Sequence, residues 1–226
     1  MPEVVGIVLA AGAGRRMGRP KALVDDAAGS WLVRAGATQI SPDVDSGNLS
    51  APSFANTRVD VRSDTQLSGG ITYMLTDHWA VDVPLALPFT HDTVGAGAIA
   101  GVGKIGEVKV LPITLLAQYR FAGANDALRP YVGLGPTYAR FYKARSTATL
   151  NALTGGLPSS PTTLSVDSRW GFTAQLGLAM EVAPRWYLDA AVLKTKLKTR
   201  TSLSTGQTLN IKLDPWTYTV GIGYRF

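Results

Sequence analysis

Trp216-Thr217-Tyr218-Thr219-Val220-Gly221-Ile222-Gly223-Tyr224-Arg225-Phe226 is the stretch that decides the fold. Large apolar residues occupy every second position (Trp216, Tyr218, Val220, Ile222, Tyr224), while Thr217, Thr219, Gly221, Gly223 and Arg225 fill the gaps. Alternation of period two over this length predicts a β-strand with one greasy face and one crowded or polar face.

Working outward, the same pattern recurs seven more times, in segments close to the ~9–11 residues that a tilted membrane strand needs. Trp31, Val33, Ala35 and Ala37 alternate with Leu32, Arg34, Gly36 and Thr38. Leu67, Gly69, Ile71, Tyr73 and Leu75 form the second apolar face, and Trp79, Val81, Val83, Leu85, Leu87 and Phe89 the third, opposite Ala80, Asp82, Pro84 and Ala86. Leu111 to Phe121 gives a fourth, with Pro112, Thr114, Gln118 and Arg120 behind it. Val132 to Tyr138, Trp170 to Met180 and Trp186 to Val192 complete the set, the last two carrying Gln175, Glu181 and Asp189 on the other face. Eight strands are an even number, as bacterial single-chain barrels require.

The connections alternate in length. Thr76-Asp77-His78, Gly123 to Leu128 and Ala183-Pro184-Arg185 are short and rich in turn formers, whereas 41–64, 90–109, 142–165 and 199–210 are long and polar or Gly-rich. The expected fold is therefore all-β: an eight-stranded antiparallel transmembrane β-barrel with short periplasmic turns near Asp77, Asn125 and Pro184 and long external loops. Trp79 and Trp186 directly follow short turns, where an interfacial aromatic girdle sits. A soluble up-and-down barrel has no reason to keep this asymmetry.

Composition fits. Hydrophobic residues make up 46% of the 226, which suffices when only alternate residues face lipid. The chain contains no cysteine, which removes disulfides and thiolate metal sites, and no cofactor is expected. The net charge is +6, with Lys194, Lys196, Lys198 and Arg200 on one face above Val192. There they either meet anionic lipopolysaccharide or solvate the strand end. Nucleic acid is not an expected partner, for no basic-aromatic platform or recognition helix is visible.

Several segments carry a family resemblance. Trp31-Leu32-Val33-Arg34-Ala35-Gly36-Ala37 with Ser41-Pro42, Thr72 through Val81, and Pro88-Phe89-Thr90-His91-Asp92 resemble segments of the outer membrane protein W family. So do Leu111 through Tyr119, Arg129-Pro130-Tyr131-Val132-Gly133 and Asp214-Pro215-Trp216 through Phe226, and the likeness is colinear over 28–226. It implies a barrel in the bacterial outer membrane, in contact with lipid and lipopolysaccharide. Its C-terminal strand, ending in Phe226, is the part that the barrel-assembly machinery reads. It also implies passive uptake or binding of small hydrophobic molecules. The alternatives are a structural, adhesion or receptor barrel without transport and, more remotely, an outer-membrane enzyme or a nucleotide-binding protein. The chain is not expected to be an enzyme: His78 and His91 are its only histidines, and His91-Asp92 is the one acidic-histidine pairing near a lip.

Residues 1–27 stand apart. Leu9 through Lys21, with Gly12, Gly14, Arg16 and Lys21, resembles the N-terminal nucleotide-binding loop of molybdenum-cofactor-type nucleotidyltransferases, in which glycines let backbone N–H groups approach phosphate. No further βα units follow, and so short a fragment cannot bury a core of its own. It is read as a vestigial fragment outside the 28–226 barrel, standing where an export signal is expected, and nucleotide binding is not anticipated.

Within the barrel, Arg34, Asp82, Gln118, Arg120, Gln175, Glu181 and Asp189 are expected to line the lumen. Eight strands enclose room for side chains or one small ligand. The opposite charges should pair and plug the periplasmic half, leaving an apolar solute to enter between the loops and exit sideways through the wall. The Gly-rich run Gly95 to Gly106 is expected to form a flexible mouth.

Overall fold

The computed structural model describes residues 27–226 apart from Phe54, Asn125 and Pro158; the nucleotidyltransferase-like segment and the turn residue Asn125 lie outside the described residues. Strands follow one another as β1 (Trp31–Ser41), β2 (Asp45–Ser46), β3 (Thr57–Val61), β4 (Asp64–Met74), β5 (Trp79–Ala86), β6 (Phe89–Gly97), β7 (Lys104–Thr114) and β8 (Leu116–Arg120). After β9 (Leu128–Ser146) comes a short helix α1 (Ala148–Thr154), then β10 (Leu164–Val166), β11 (Arg169–Ala183), β12 (Trp186–Lys196), β13 (Lys198–Leu203), β14 (Thr208–Lys212) and β15 (Trp216–Arg225).

Eight of these are the staves of a closed barrel. The pairing runs β1-β4-β5-β8-β9-β11-β12-β15, antiparallel throughout, and β15 returns to β1 with Ala35 opposite Ile222. Closure gives every stave a partner on both sides, as a hydrocarbon environment demands, apart from one short interruption between β5 and β7. The outward face is apolar: Leu67, Trp170, Leu176 and Val220 are each more than 60% exposed. In water so large an apolar band would be an aggregation surface; in a bilayer it is the lipid contact. Aromatic pairs border it at the turn end, where Trp31 faces Tyr73, Trp79 faces Tyr119 and Trp186 faces Tyr224 across neighbouring strands at centroid separations of 4.7, 5.1 and 5.1 Å. Trp170 and Tyr138, 5.1 Å apart, mark the loop end.

Beyond that border one sequence expectation gains detail and one is corrected. The long external segments are not loop alone but carry paired strands as well. β3, β6, β7 and the far half of β9 continue the wall upward, and β10, β13, β14 and β2 form a second sheet. The Gly95–Gly106 run is a hairpin, with Gly97, Gly101 and Gly103 at positive φ around its tip, where only glycine bends without strain. Phe89 also does not share the outward face of Trp79: it is fully buried inside. Leu87 points out and Phe89 points in, so the alternation shifts by one residue at Leu87-Pro88, where β5 ends and β6 begins.

That shift coincides with an interruption of the wall. β5 pairs with β8 only as far as Asp82 opposite Leu116, and the next ladder starts at Phe89 opposite Val110. Between them no ladder joins 83–88 to 111–115. The donor directions explain how this is tolerated. The Leu87 amide donates to the Leu67 carbonyl and the Leu115 amide to the Pro136 carbonyl. Successive amides alternate sides, so positions 84, 86, 88, 112 and 114 face the interruption. Three of those five are proline, which has no N–H to leave unpaired. Among wall amides in lipid nanodiscs, Ala86 and Thr114 should therefore exchange fastest, a result that residue-resolved hydrogen exchange by NMR would show; protection equal to that of Val81 and Ala117 would contradict the interruption.

Candidate functional site

The inward residues form layers. At the turn end lies a charged layer built on Arg34, which is 6% exposed. Its Nη2 donates to Asp82 Oδ2 at 2.8 Å and its Nη1 to the Thr72 hydroxyl at 3.0 Å, while that hydroxyl donates to Asp82 Oδ1 at 2.6 Å. Arg34 Nε lies 3.8 Å from Asp189 Oδ1, and the Tyr131 hydroxyl is 3.1 Å from both oxygens of that carboxylate. Alongside, Gln118 Nε2 donates to Gln175 Oε1 at 2.7 Å and Arg120 Nη2 to Gln118 Oε1 at 3.2 Å, with the Arg120 guanidinium 4.7 Å above the Tyr131 ring.

Room for these side chains comes from glycines directly opposite them on the neighbouring stave. Gly70 faces Arg34, Gly133 faces Gln175, Gly177 faces Tyr131 and Gly223 faces Tyr187. A Cβ at Gly70 would lie 2.6 Å from Arg34 Nη2, one at Gly133 2.6 Å from Gln175 Oε1, and those at Gly177 and Gly223 would overlap the two tyrosine rings. Small residues across from large ones let the layer close in a narrow barrel.

Above it runs a belt of threonines. Thr38 bonds Ser68 and Thr219 at 2.7 and 2.8 Å. On the other side Thr195, Thr173, Thr137 and Thr114 form a chain at 2.8, 2.5 and 2.8 Å. The belt passes from stave to stave in two runs, interrupted at β5, which offers Pro84 and Ala86 instead, and between Thr195 on β12 and Thr219 on β15. Above the belt Ile40, Phe89, Val110, Ala139 and Leu197 make an apolar chamber, continued upward by Ile105, Leu150 and Leu203.

These layers enclose a cavity of about 280 Å³. Arg34, Gln175 and Asp189 touch its floor; Phe89, His91, Val110 and Phe141 line its side. It also reaches Pro84, Leu85 and Pro112 at the wall interruption, although Leu85 is an outward residue. Of the residues expected in the lumen, Arg34, Asp82, Gln118, Arg120, Gln175 and Asp189 lie together, each at most 6% exposed. Glu181 is the exception: it is exposed at the turn-end rim beside Arg129, Arg185 and Arg225, where the β11–β12 register shifts and the strand leaves the barrel. Thr72, Tyr131 and the belt were not singled out from the sequence. Their inward parity was readable, but their partners depend on register. His91, read from the sequence as a loop-edge residue, lies inside because of the parity shift.

His91 sits on β6, beyond the apolar band. Burial pushes its imidazole below the ordinary 6.5, against the Arg62 carbonyl and the carboxylates of Asp64 and Asp92, which favour the charged form. The unfolded segment then binds the proton more readily, so this group's contribution to folding is complete above 6.5 and is lost as pH falls through the lowered value. An NMR titration should give His91 a midpoint below 6.5, and a midpoint at or above it would contradict the buried placement. A second test addresses the floor. Arg34→Leu leaves Asp82 and Asp189 without their cation and should cost about 3–5 kcal/mol in urea unfolding in lipid vesicles, with part recovered when Asp82→Asn is added.

Comparison with known proteins agrees with this architecture. Residues 27–226 match the OmpW family. Outer membrane protein W of Vibrio cholerae is 32% identical over 204 residues, covering 88% of this chain and 89% of that protein. The crystal structure of the outer membrane protein OprG from Pseudomonas aeruginosa superposes with a TM-score of 0.78 at 30% identity, over 88% of this chain and 96% of the other. The solution structure of Escherichia coli outer membrane protein W gives 0.56 at 28% identity, over 88% and 98%.

Proposed function

The chain belongs to the OmpW family and is an outer-membrane β-barrel, and on that premise we propose that it is a passive conduit for small hydrophobic molecules. A solute enters the chamber between the external hairpins, rests above the charged floor, and leaves sideways into the membrane between β5 and β7. One observation carries the reading: the apolar cavity is floored by paired charges and touches the outer wall at Pro84, Leu85 and Pro112. An apolar solute gains nothing by crossing the floor, which would require separating ions already desolvated. The lateral route asks only for side-chain motion at a place where the backbone holds no ladder.

Lys196, Lys198 and Arg200 project outward above the band, which supports contact with anionic lipopolysaccharide. The exposed terminal Phe226 next to the β15–β1 seam supports recognition of that strand during barrel assembly.

Uptake by intact Gram-negative cells, whose lipopolysaccharide leaflet slows apolar solutes, tests the conduit. Cells carrying the protein should take up an alkylbenzene faster than cells without it, and take up a sugar of similar size no faster. Pro84→Val with Pro88→Val restores donors along the interruption and should return alkylbenzene uptake toward the protein-free rate. Equal uptake with and without the protein overturns the proposal; unchanged uptake in the double variant overturns the lateral exit.

A further inference from the structure

One nitrogen in the chamber wall has nothing to bond. His91 is 6% exposed and its ring lies near-parallel to Phe89, with centroids 6.2 Å apart and planes at 13°. Its Nδ1 is 2.8 Å from the Arg62 carbonyl oxygen. A carbonyl only accepts, so Nδ1 carries the proton of the neutral ring and Nε2 presents a lone pair. That Nε2, on the ring edge away from Arg62, is buried without a hydrogen-bond partner, and the ring lines the cavity.

No neighbouring donor, the Thr93 hydroxyl included, bonds it. Along β6 its inward neighbours are Phe89 and Thr93, and Val108 lies opposite on β7. The nearby carboxylates are acceptors with partners of their own: Asp64 takes the Thr90 amide and Gln66, and Asp92 takes Lys104. A buried acceptor left unpaired costs free energy that a donor on a bound molecule recovers. The donor must be neutral, because an ammonium group would have to be desolvated in an apolar chamber. A carboxylate has no proton to give.

We infer that His91 Nε2 anchors the hydroxyl group of an otherwise apolar solute, so that the chamber prefers hydrophobic alcohols and phenols to the parent hydrocarbons. This rests on the conduit reading and gives it a substrate class. The apolar body of the solute packs against Phe89, Val110 and Phe141 while the hydroxyl donates to Nε2 at the chamber side.

The test uses the full chain in lipid nanodiscs with para-butylphenol and butylbenzene, which differ only by the hydroxyl. Binding is followed by NMR, including the imidazole nitrogen signals of His91. The phenol should shift the Nε2 resonance and butylbenzene should not. His91→Phe keeps the stack on Phe89 but removes the acceptor; it should lower the ratio of phenol to butylbenzene affinity about tenfold. If both solutes bind, Nε2 stays unmoved and the variant treats them alike, the anchor is wrong while the conduit stands. If neither binds, the conduit reading fails and the anchor with it. The nitrogen shift is read on the unaltered protein, so a misfolded variant still leaves a decisive measurement.

Discussion

The guanidinium of Arg34, held between Asp82 on one side of the lumen and Asp189 on the other, is the constraint around which the interior is arranged. Ions removed from water cost several kcal/mol each unless geometry and further hydrogen bonds compensate. Thr72 and Tyr131 complete the carboxylates' shells, and Gly70 and Gly177 clear the space for Arg34 and Tyr131 to lie flat. Loss of the cation leaves two carboxylates facing each other across a narrow tube. The floor thus joins staves that are far apart around the circumference, and it closes the lower barrel to anything that cannot exchange with ions.

With the floor shut, the proposed lateral route depends on the wall of the upper half, which the sequence opens by subtraction. Pro84, Pro88 and Pro112 remove donors on the two edges that face each other across the interruption. An unpaired N–H in hydrocarbon would draw the edges together or bring in water; the prolines leave little to satisfy. Their carbonyls remain, but the strongest drive to re-form a ladder is gone. The same Leu87-Pro88 step turns Phe89 and His91 inward, so the opening in the wall and the lining of the chamber share one local cause.

Much of this was legible in the residues. Alternation identified the staves, their number and, over most of their length, which side chains point in; Arg34, Asp82, Gln118, Arg120, Gln175 and Asp189 follow directly from parity. Parity alone fails where a strand breaks register. Phe89 was assigned to the outer face because counting by two continues past Pro88 while the backbone does not. Glu181 has inward parity but stands at the rim, beyond the last residue that the barrel buries. The facing of Gly177 on Tyr131, or Gly223 on Tyr187, is a property of stagger between strands, which a single sequence does not encode visibly. The external segments looked like loops because their composition is polar; their pairing comes from neighbouring staves extended past the membrane.

The threonine belt bears on how a molecule moves rather than on where it stops. Each hydroxyl is engaged by at least one neighbour, so the belt presents few free polar groups although every residue in it counts as polar. Such a lining exerts little friction. A solute passing it trades one weak dispersion contact for another of similar depth, and the energy profile along the wall stays smooth. Under the proposed route, its residence time is set at the proline edge of β5 and at the unmatched imidazole above it.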